Sequence, residues 1–297
     1  MTRVGILLCV IAARLGAQAP PVFDGEAALR YARQQVKFGP RVPGTAAAQR
    51  AGDWLVAQLR ERTDTVIEQR WTHRTNTGAR VPMRNIFAQI RRGQAERVLY
   101  VAHWDTRPVA DNEHDAEMRD RPGDGANDGA SAVGMLLALA DALKRTPPAV
   151  GVDLLFVDGE DYGSFGPDVD VVIGSTYFAA NVPLSGYRPS WGVVWDMIGD
   201  TDLRILQEGH SRRVAPQVVE RVWRKAAELG YGKQFLPQAG FQIMDDHVPF
   251  QRLGWPVIDV IDLDYPDHHT LGDTIDKLSP RSLRIVGEVA LALVMSK

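Results

Sequence analysis

Apolar and polar positions along the 297-residue chain alternate between helix-like and strand-like spacing. Residues 46–62 place apolar side chains on one face at helical spacing, and Thr45 stands before them as an N-cap. Short apolar runs separate the helical segments, and the densest are residues 98–102 and 152–157, which read as buried strands. The pattern therefore predicts helices that alternate with buried strands.

The predicted helices cover residues 24–37, 46–62, 130–143, 175–180, 214–229 and 279–295. The predicted strands cover residues 65–68, 85–90, 98–102, 152–157, 191–195, 203–206 and 255–261. Strands that are separated by helices need crossover connections. We therefore expect a single α/β domain over residues 20–297, with a mainly parallel twisted central sheet and helices on both faces.

The first 19 residues have the pattern of an export signal. Arg3 precedes an apolar stretch over residues 4–15, and residues 17–19 supply a small-x-small cleavage sequence. The alternative is a first core strand or helix of a cytosolic protein. Cys9, the only cysteine of the sequence, lies in the apolar stretch. Export thus predicts a periplasmic or secreted protein whose core is large enough to stand without disulfides.

Charge and hydropathy narrow the range of partners. Lys and Arg number 34 against 37 Asp and Glu, which gives a formal net charge of -3. No overall positive field is available to hold phosphate backbones, so nucleic acid is not expected as a partner. Beyond the N-terminal segment no apolar run approaches the length of a membrane span. The sequence makes no prediction of oligomeric state.

Ionisable residues stand where the core strands end. His103, the pair Glu160 and Asp161, and Asp196 follow three predicted strands, while Asp128 precedes a helix. Ligands of open α/β sheets bind beyond the carboxyl ends of the strands. These side chains are therefore expected to meet at one edge of the sheet.

Each of these residues also has a structural interpretation. Asp128 fits a helix N-cap, Glu160 and Asp161 fit a solvated corner, and His103 fits a hydrogen-bonded strand end. Their convergence changes the interpretation, because several buried carboxylates repel one another unless a cation lies among them. Mixed imidazole and carboxylate donors favour Zn²⁺ over Ca²⁺ or Mg²⁺.

Six motifs occur in order along the chain: HWDTRP at 103–108, GANDGAS at 125–131, DGEDYG at 158–163, DMIG at 196–199, DDH at 245–247 and HHT at 268–270. This series resembles the zinc-dependent glutaminyl cyclases, above all the bacterial members that share the fold of the animal enzymes. That fold is also the fold of zinc aminopeptidases. The resemblance extends from about residue 38 to the C-terminus.

The resemblance implies a role for each matching residue. Asp128, Asp161 and His269 match the ligands of the single zinc ion, and Glu160 matches the acid/base carboxylate. The implied reaction converts N-terminal glutamine of a peptide into pyroglutamate with release of ammonia, and zinc polarises the γ-carbonyl.

Further matching positions concern the substrate. Asp196 and Asp245 match acids that form hydrogen bonds around the substrate and the base. Animal cyclases have tryptophan platforms where this chain has His268 and, in the loop after Asp161, Phe165. These two side chains are the expected substrate contacts. Peptide or protein N-termini are the expected partners.

Two other functions fit the same residues. In aminopeptidases with two zinc ions, His103 and Asp196 would hold a second metal that Asp128 bridges, so hydrolysis of N-terminal residues is the alternative reaction. A metal-free extracellular binding domain of the same fold is the second alternative, although such relatives lack several of the ligands that are complete here.

Three structural expectations concern residues near the motifs. Adjacent side chains of an extended segment point in opposite directions, so only one of His268 and His269 is expected to face the metal. The resemblance implies that it is His269, which directly precedes Thr270 as in the family pattern. The acidic residues between 105 and 124 fit a solvated insertion better than a Ca²⁺ site. Five tryptophans are expected in the core, namely Trp104, Trp191, Trp195, Trp223 and Trp255.

Overall fold

Helices and strands alternate along the chain in this computed structural model, which describes residues 22–295. The predicted export signal over residues 1–19, with Cys9, lies outside the described residues. The helices are α1 (Gly25–Val36), α2 (Ala46–Arg60), α3 (Ala132–Arg145), α4 (Ile173–Ala180), α5 (Gly209–Val214), α6 (Pro216–Glu228), α7 (His247–Arg252) and α8 (Pro280–Met295). The strands are β1 (Thr65–Arg74), β2 (Arg80–Ile90), β3 (Arg97–His103), β4 (Gly151–Val157), β5 (Trp191–Asp196), β6 (Ile205–Gln207), β7 (Phe235–Ala239) and β8 (Val257–Ile261).

Six strands form the central sheet in the order β1-β2-β4-β3-β5-β8. Strands β4, β3, β5 and β8 pair in parallel, as the crossover helices between them require. Their carboxyl ends therefore meet at one edge of the sheet. A small second sheet pairs β6 with β7 in parallel.

The expectation of a mainly parallel sheet is confirmed, since three of its five strand pairings are parallel, and β1 and β2 form the antiparallel part. Both pairings of β2, with β1 and with β4, are antiparallel, so the sheet is mixed. No helix separates β1 from β2, and the chain reverses between Thr75 and Ala79, where Gly78 has a φ of 87°. A tight turn of this kind joins neighbouring strands only in antiparallel fashion.

Apolar side chains cover both faces of the sheet. Along β3, Val98, Tyr100 and Ala102 point into the larger core with α1, α2, α3, α6 and α8. Leu99 and Val101 point into the opposite core, with the side chains of α4 and α7. This alternation explains why the strand reads as a continuous apolar run. The five tryptophans expected in the core are all buried, which confirms that expectation.

Several predicted boundaries differ from the observed elements. The helix expected over 214–229 is divided, because Pro216 begins α6 after a break at Ala215. The strand expected over 203–206 begins at Ile205, and β7 and α7 were not predicted. The N-cap prediction for α2 is confirmed, since Thr45 accepts a hydrogen bond from the main-chain N–H of Ala48. Among the described residues, no helix has both the length and the apolar content of a membrane span.

Candidate active site

The ends of the parallel strands bring the expected ionisable residues to one edge of the sheet. Strand β3 ends at His103, β5 ends at Asp196, and Glu160 and Asp161 follow β4 directly. All four side chains are buried. The expectation from the sequence that these four side chains lie at the same edge of the sheet is therefore correct.

Asp128 lies on an irregular turn between β3 and α3, and it does not cap the helix. Helix α3 begins at Ala132 without a side-chain cap, and Asp128 has a ψ of 98°. Gly129 follows with a φ of 90°, and a Cβ there would lie 2.8 Å from the carbonyl oxygen of Asp105. The turn thus needs glycine, and it directs the Asp128 carboxylate towards the strand ends.

His103 lies between the carboxylates of the site. Its Nε2 is 3.0 Å from Oδ1 of Asp128 and 3.1 Å from Oδ1 of Asp196. Its Nδ1 is 3.4 Å from Oδ1 of Asp105. Burial alone would lower the pKa of His103, but the carboxylates of Asp196, Asp105 and Asp128 outweigh burial and raise the pKa well above its ordinary value.

The two adjacent histidines both face the site. His269 places its Nε2 3.1 Å from Oδ1 of Asp161 and 3.6 Å from Oδ2 of Asp128. The segment is a turn in which His269 has a φ of 57°, so the expectation of an extended segment with opposed side chains is wrong. Potential ligand atoms of Asp128, His268 and His269 all lie within 4.8 Å of one another.

Two further carboxyl groups complete the polar wall. Burial raises the pKa of Glu160 well above its ordinary range; His103 opposes this rise, and Asp161 and Asp245 add to it. Burial and then the carboxyl groups of Asp196 and Asp246 likewise raise the pKa of Asp245.

These side chains share a cavity of about 660 Å³. Its polar lining includes Asp128, Glu160, Asp196, Asp245, His268 and His269, and also Arg107 and Asp111. Phe165 also lines the cavity, and its ring stacks on His269 with centroids 6.2 Å apart. Met197, Ile243 and Leu263 form an apolar side. The cavity is large enough for the terminal residues of a peptide.

The residues directly after Asp245 do not line this cavity. The segment from His247 to Phe250 is buried in α7, where Phe250 packs against α4. His247 places its Nε2 3.2 Å from Oε2 of Glu208. His247 does not line the cavity, whereas His210, whose ring centroid is 6.1 Å from that of His247, does.

Asp105 is a structural residue of the site that sequence reasoning missed. It is fully buried, and its two oxygens accept the main-chain N–H groups of Glu160 and Asp161, each at 3.3 Å. The part of the acidic loop next to β3 is thus not a solvated insertion. Its position two residues after His103 was the available signal. Among residues 22–295, the groups with converging metal-ligand atoms do not include the loop acids of 105–124.

The donor set of Asp128, Asp161 and His269 fits a zinc ion. Imidazole nitrogen and carboxylate oxygen both bind zinc, and three protein ligands leave the open coordination position that catalytic zinc sites keep. Asp161 is 1% exposed, and its Oδ2 has no hydrogen-bond partner in the protein. A bound cation would satisfy this oxygen and reduce the repulsion among the buried carboxylates.

The sheet of this chain is mixed, and a site of carboxylates and histidines lies beyond the ends of its parallel strands. This arrangement is that of the zinc-exopeptidase-like enzymes, which act on peptides. The chain belongs to peptidase family M28, whose profile matches residues 85–294. Family membership confirms the resemblance that the motifs indicated.

Solved structures of two related proteins cover nearly the whole chain. The glutaminyl cyclase of Porphyromonas gingivalis is 39% identical, with a TM-score of 0.88 over 92% of this chain and 98% of that one. A Zn-dependent exopeptidase from Parabacteroides distasonis is 34% identical, with a TM-score of 0.91 over 94% of this chain and 100% of that one.

One curated relative of this chain is also a cyclase. Glutaminyl-peptide cyclotransferase of Bos taurus is 24% identical over 227 residues, which is 66% of this chain and 59% of the relative. The chain spans about half the length of the curated relatives it matches, 45% in one case and 59% in the other. Cyclases and exopeptidases therefore both occur among the similar proteins.

Proposed function

We propose that this protein is a glutaminyl-peptide cyclotransferase, which converts N-terminal glutamine of peptides into pyroglutamate and ammonia. The observation that carries the proposal is the shared wall of one cavity. Asp128 and His269 of the zinc-type donor set face the same 660 Å³ space as Glu160 and Asp245, whose carboxyl groups both have raised pKa values. The similarity to the Porphyromonas gingivalis cyclase supports the same function.

The metal centre of the proposed enzyme consists of Asp128, Asp161 and His269. When bound there, zinc supplies Lewis-acid polarisation of the γ-carbonyl and stabilises the negative charge that develops on its oxygen. Asp105 holds the main chain at Asp161, so that this ligand has a fixed position before the metal arrives.

Glu160 is the proposed acid/base. The α-amine nitrogen of the substrate attacks the γ-amide carbon, and the bond from that carbon to the side-chain nitrogen breaks. Glu160 accepts the proton from the attacking amine and returns a proton to the departing ammonia, so the step balances without water. A raised pKa suits a carboxyl group that must accept and return a proton in one turnover.

Asp196 and Asp245 are the proposed hydrogen-bonding acids around the substrate. Both line the cavity beside Glu160, and Oδ1 of Asp196 is fixed by the main-chain N–H of Met197 at 2.8 Å. Acids at these positions can hold the amino group of the substrate close to the carbon that it attacks. Phe165 and His268 are the proposed contacts for the rest of the peptide.

An aminopeptidase is the second candidate, and one observation favours it. Potential ligand atoms of His103, Asp128 and Asp196 also lie within 4.8 Å of one another, which is the arrangement that a second metal would need. The Parabacteroides distasonis exopeptidase shares the fold at a TM-score of 0.91. In that reaction Glu160 would activate water for hydrolysis instead of the substrate amine.

A metal-free binding domain remains the least supported function, because the donor set is complete.

The test uses the zinc-loaded full chain with two dipeptides, one beginning with glutamine and one with leucine. Release of ammonia with an intact peptide bond from the first supports cyclisation. Liberation of free leucine from the second, without ammonia from the first, would establish the aminopeptidase instead. Metal content per chain adds an independent criterion, since one zinc fits the cyclase and two fit the aminopeptidase.

We also propose export to the periplasm or the medium, on the pattern of residues 1–19. Fractionation of cells that express the full chain with a C-terminal tag tests this proposal. The expected result is a shortened chain outside the cytoplasm, and a full-length chain in the cytoplasm would refute it.

A further inference from the structure

The loop after β3 holds the segment that carries His269. The main-chain N–H of Asn112 donates to the carbonyl oxygen of His269 at 3.2 Å, and its side-chain amide donates to the carbonyl oxygen of His268 at 3.1 Å. The carboxylate of Glu113 accepts the main-chain N–H of Leu271 at 3.0 Å. Two adjacent loop residues thus fix the backbone on both sides of His269.

This backbone is strained and needs such support. His269 has a φ of 57°, in the left-handed region that residues other than glycine seldom adopt. Conformations of this kind are unfavourable and persist only where the surroundings determine them, commonly at functional sites. The strain turns the imidazole of His269 towards Asp128 and Asp161.

The two nitrogens of the His269 ring face different carboxylates. Nε2 points towards Oδ1 of Asp161 at 3.1 Å, while Nδ1 is 3.5 Å from Oδ1 of Asp111. An imidazole that binds a metal through Nε2 carries its proton on Nδ1. A carboxylate beside Nδ1 favours that tautomer, fixes the ring and makes Nε2 a stronger donor.

Arg107 connects Asp111 with the other ligand. Its Nε and Nη2 donate to the two oxygens of Asp111 at 2.8 and 2.6 Å, and its Nη1 donates to Oδ1 of Asp161 at 2.8 Å. Arg107 is 7% exposed and Asp161 1%, so the contact between these two side chains is shielded from solvent, whereas Asp111 lies at the exposed end of the network. The planar guanidinium sets the relative positions of the two carboxylates in a way that a lysine could not.

We propose that Asp111 and Arg107 are positioning residues of the metal centre. Asp111 fixes the tautomer and orientation of His269. Arg107 fixes the positions of the Asp111 and Asp161 carboxylates relative to each other. The inference rests on the metal centre of the proposed function. It gives the acidic loop after β3 a role that neither a solvated insertion nor a calcium site would have.

The test compares Asp111→Asn with Asp120→Asn, which removes the same charge from an exposed position of the same loop. Competition with a chromogenic chelator measures Zn²⁺ affinity, and the visible spectrum of the Co²⁺-loaded protein reports the ligand geometry. We expect Asp111→Asn to bind Zn²⁺ about 10- to 100-fold more weakly, with a changed Co²⁺ spectrum. Arg107→Lys should also weaken Zn²⁺ binding and change the Co²⁺ spectrum, whereas Asp120→Asn should change neither the affinity nor the spectrum.

The outcomes separate this inference from the proposed function. The side chain of Asp111 is 46% exposed, so the metal-free forms of both Asn variants should stay folded, as a cooperative melting curve would show. Equal Zn²⁺ affinities and equal Co²⁺ spectra for Asp111→Asn and Asp120→Asn would overturn the inference. A wild-type chain that binds no Zn²⁺ would instead refute the metal centre itself.

Discussion

The carboxylate of Asp273 accepts the main-chain N–H of Asp128 at 3.1 Å. Its other oxygen accepts the main-chain N–H of Asn127 at 2.8 Å and the hydroxyl of Tyr265 at 2.8 Å. Asp273 is 2% exposed and lies four residues after His269. One loop therefore supplies a proposed zinc ligand and the acid that holds the turn of another.

Replacement of Asp273 by alanine should disturb this turn. It leaves two buried main-chain N–H groups without an acceptor, so we expect the free energy of unfolding of the metal-free chain to fall by more than about 1 kcal/mol. Zn²⁺ affinity should fall as well, because Asp128 loses its fixed position. Denaturant unfolding and Zn²⁺ titration measure the two effects. Asp276→Asn, an exposed change in the same loop, is the control, and equal values for the two variants would contradict the prediction.

Gly129 of the same turn should be difficult to replace. An alanine at position 129 would have to adopt a φ of 90°, and its Cβ would lie 2.8 Å from the carbonyl oxygen of Asp105. Gly186→Ala is the matched control, since Gly186 has a φ of 69° and nothing within 4 Å of its Cβ. The control should lose about 1–2 kcal/mol of unfolding free energy from backbone strain. Gly129→Ala should lose clearly more, and a loss equal to that of the control would show that the turn relaxes.

Glu160→Gln should abolish most of the proposed activity while the protein keeps its zinc. Loss of the acid/base is expected to lower kcat by about 10²- to 10⁴-fold. The amide is nearly the same size as the carboxyl group, and Glu160 is not one of the proposed ligands. Activity assays with a glutamine-initiated peptide and elemental analysis measure the two properties. Glu220→Gln, on an exposed side chain of α6, is the control. Near wild-type turnover of Glu160→Gln would rule out this assignment of the base.

The sequence was informative about the residues at the ends of strands. His103 and Asp196 follow dense apolar runs, and such runs reveal buried strands with little ambiguity because both sheet faces are covered. Parallel pairing of those strands then places the side chains together. The full length and the antiparallel direction of β1 were not predicted, because this half-exposed outer strand has a weak apolar pattern.

Residues that act through the main chain left no comparable signal. Asp105 and Asp273 hold amide groups of other segments, and any acid in a loop looks the same in the sequence until the fold is known. The orientation of His268 and His269 depended on a left-handed turn, which single-sequence spacing does not specify. The position of each proposed ligand could thus be predicted, but the network that supports it could not.

Glu208 should make the stability of the protein depend on pH in the acid range. Its carboxylate accepts the main-chain N–H groups of His210 at 2.7 Å and Ser211 at 2.6 Å at the start of α5, and it faces His247. Burial raises the pKa of Glu208, but His247 and these two N–H groups outweigh burial and bring the pKa from 4.5 to about 2. A carboxyl group with a lowered pKa stabilises the fold above its unfolded-state pKa. That contribution is lost as the pH falls through the folded-state pKa.

Glu208→Gln removes this titration while it retains one oxygen acceptor. We expect the wild type to exceed the variant in unfolding free energy by a constant amount above the ordinary pKa of 4.5, and the difference to shrink as the pH falls to about 2. Urea unfolding of both proteins in their metal-free forms over this pH range measures the difference. Glu220→Gln again serves as the control, because its exposed side chain lies on α6 away from the Glu208 network. A difference that persists undiminished at pH 2 would mean that Glu208 stabilises the start of α5 without its charge.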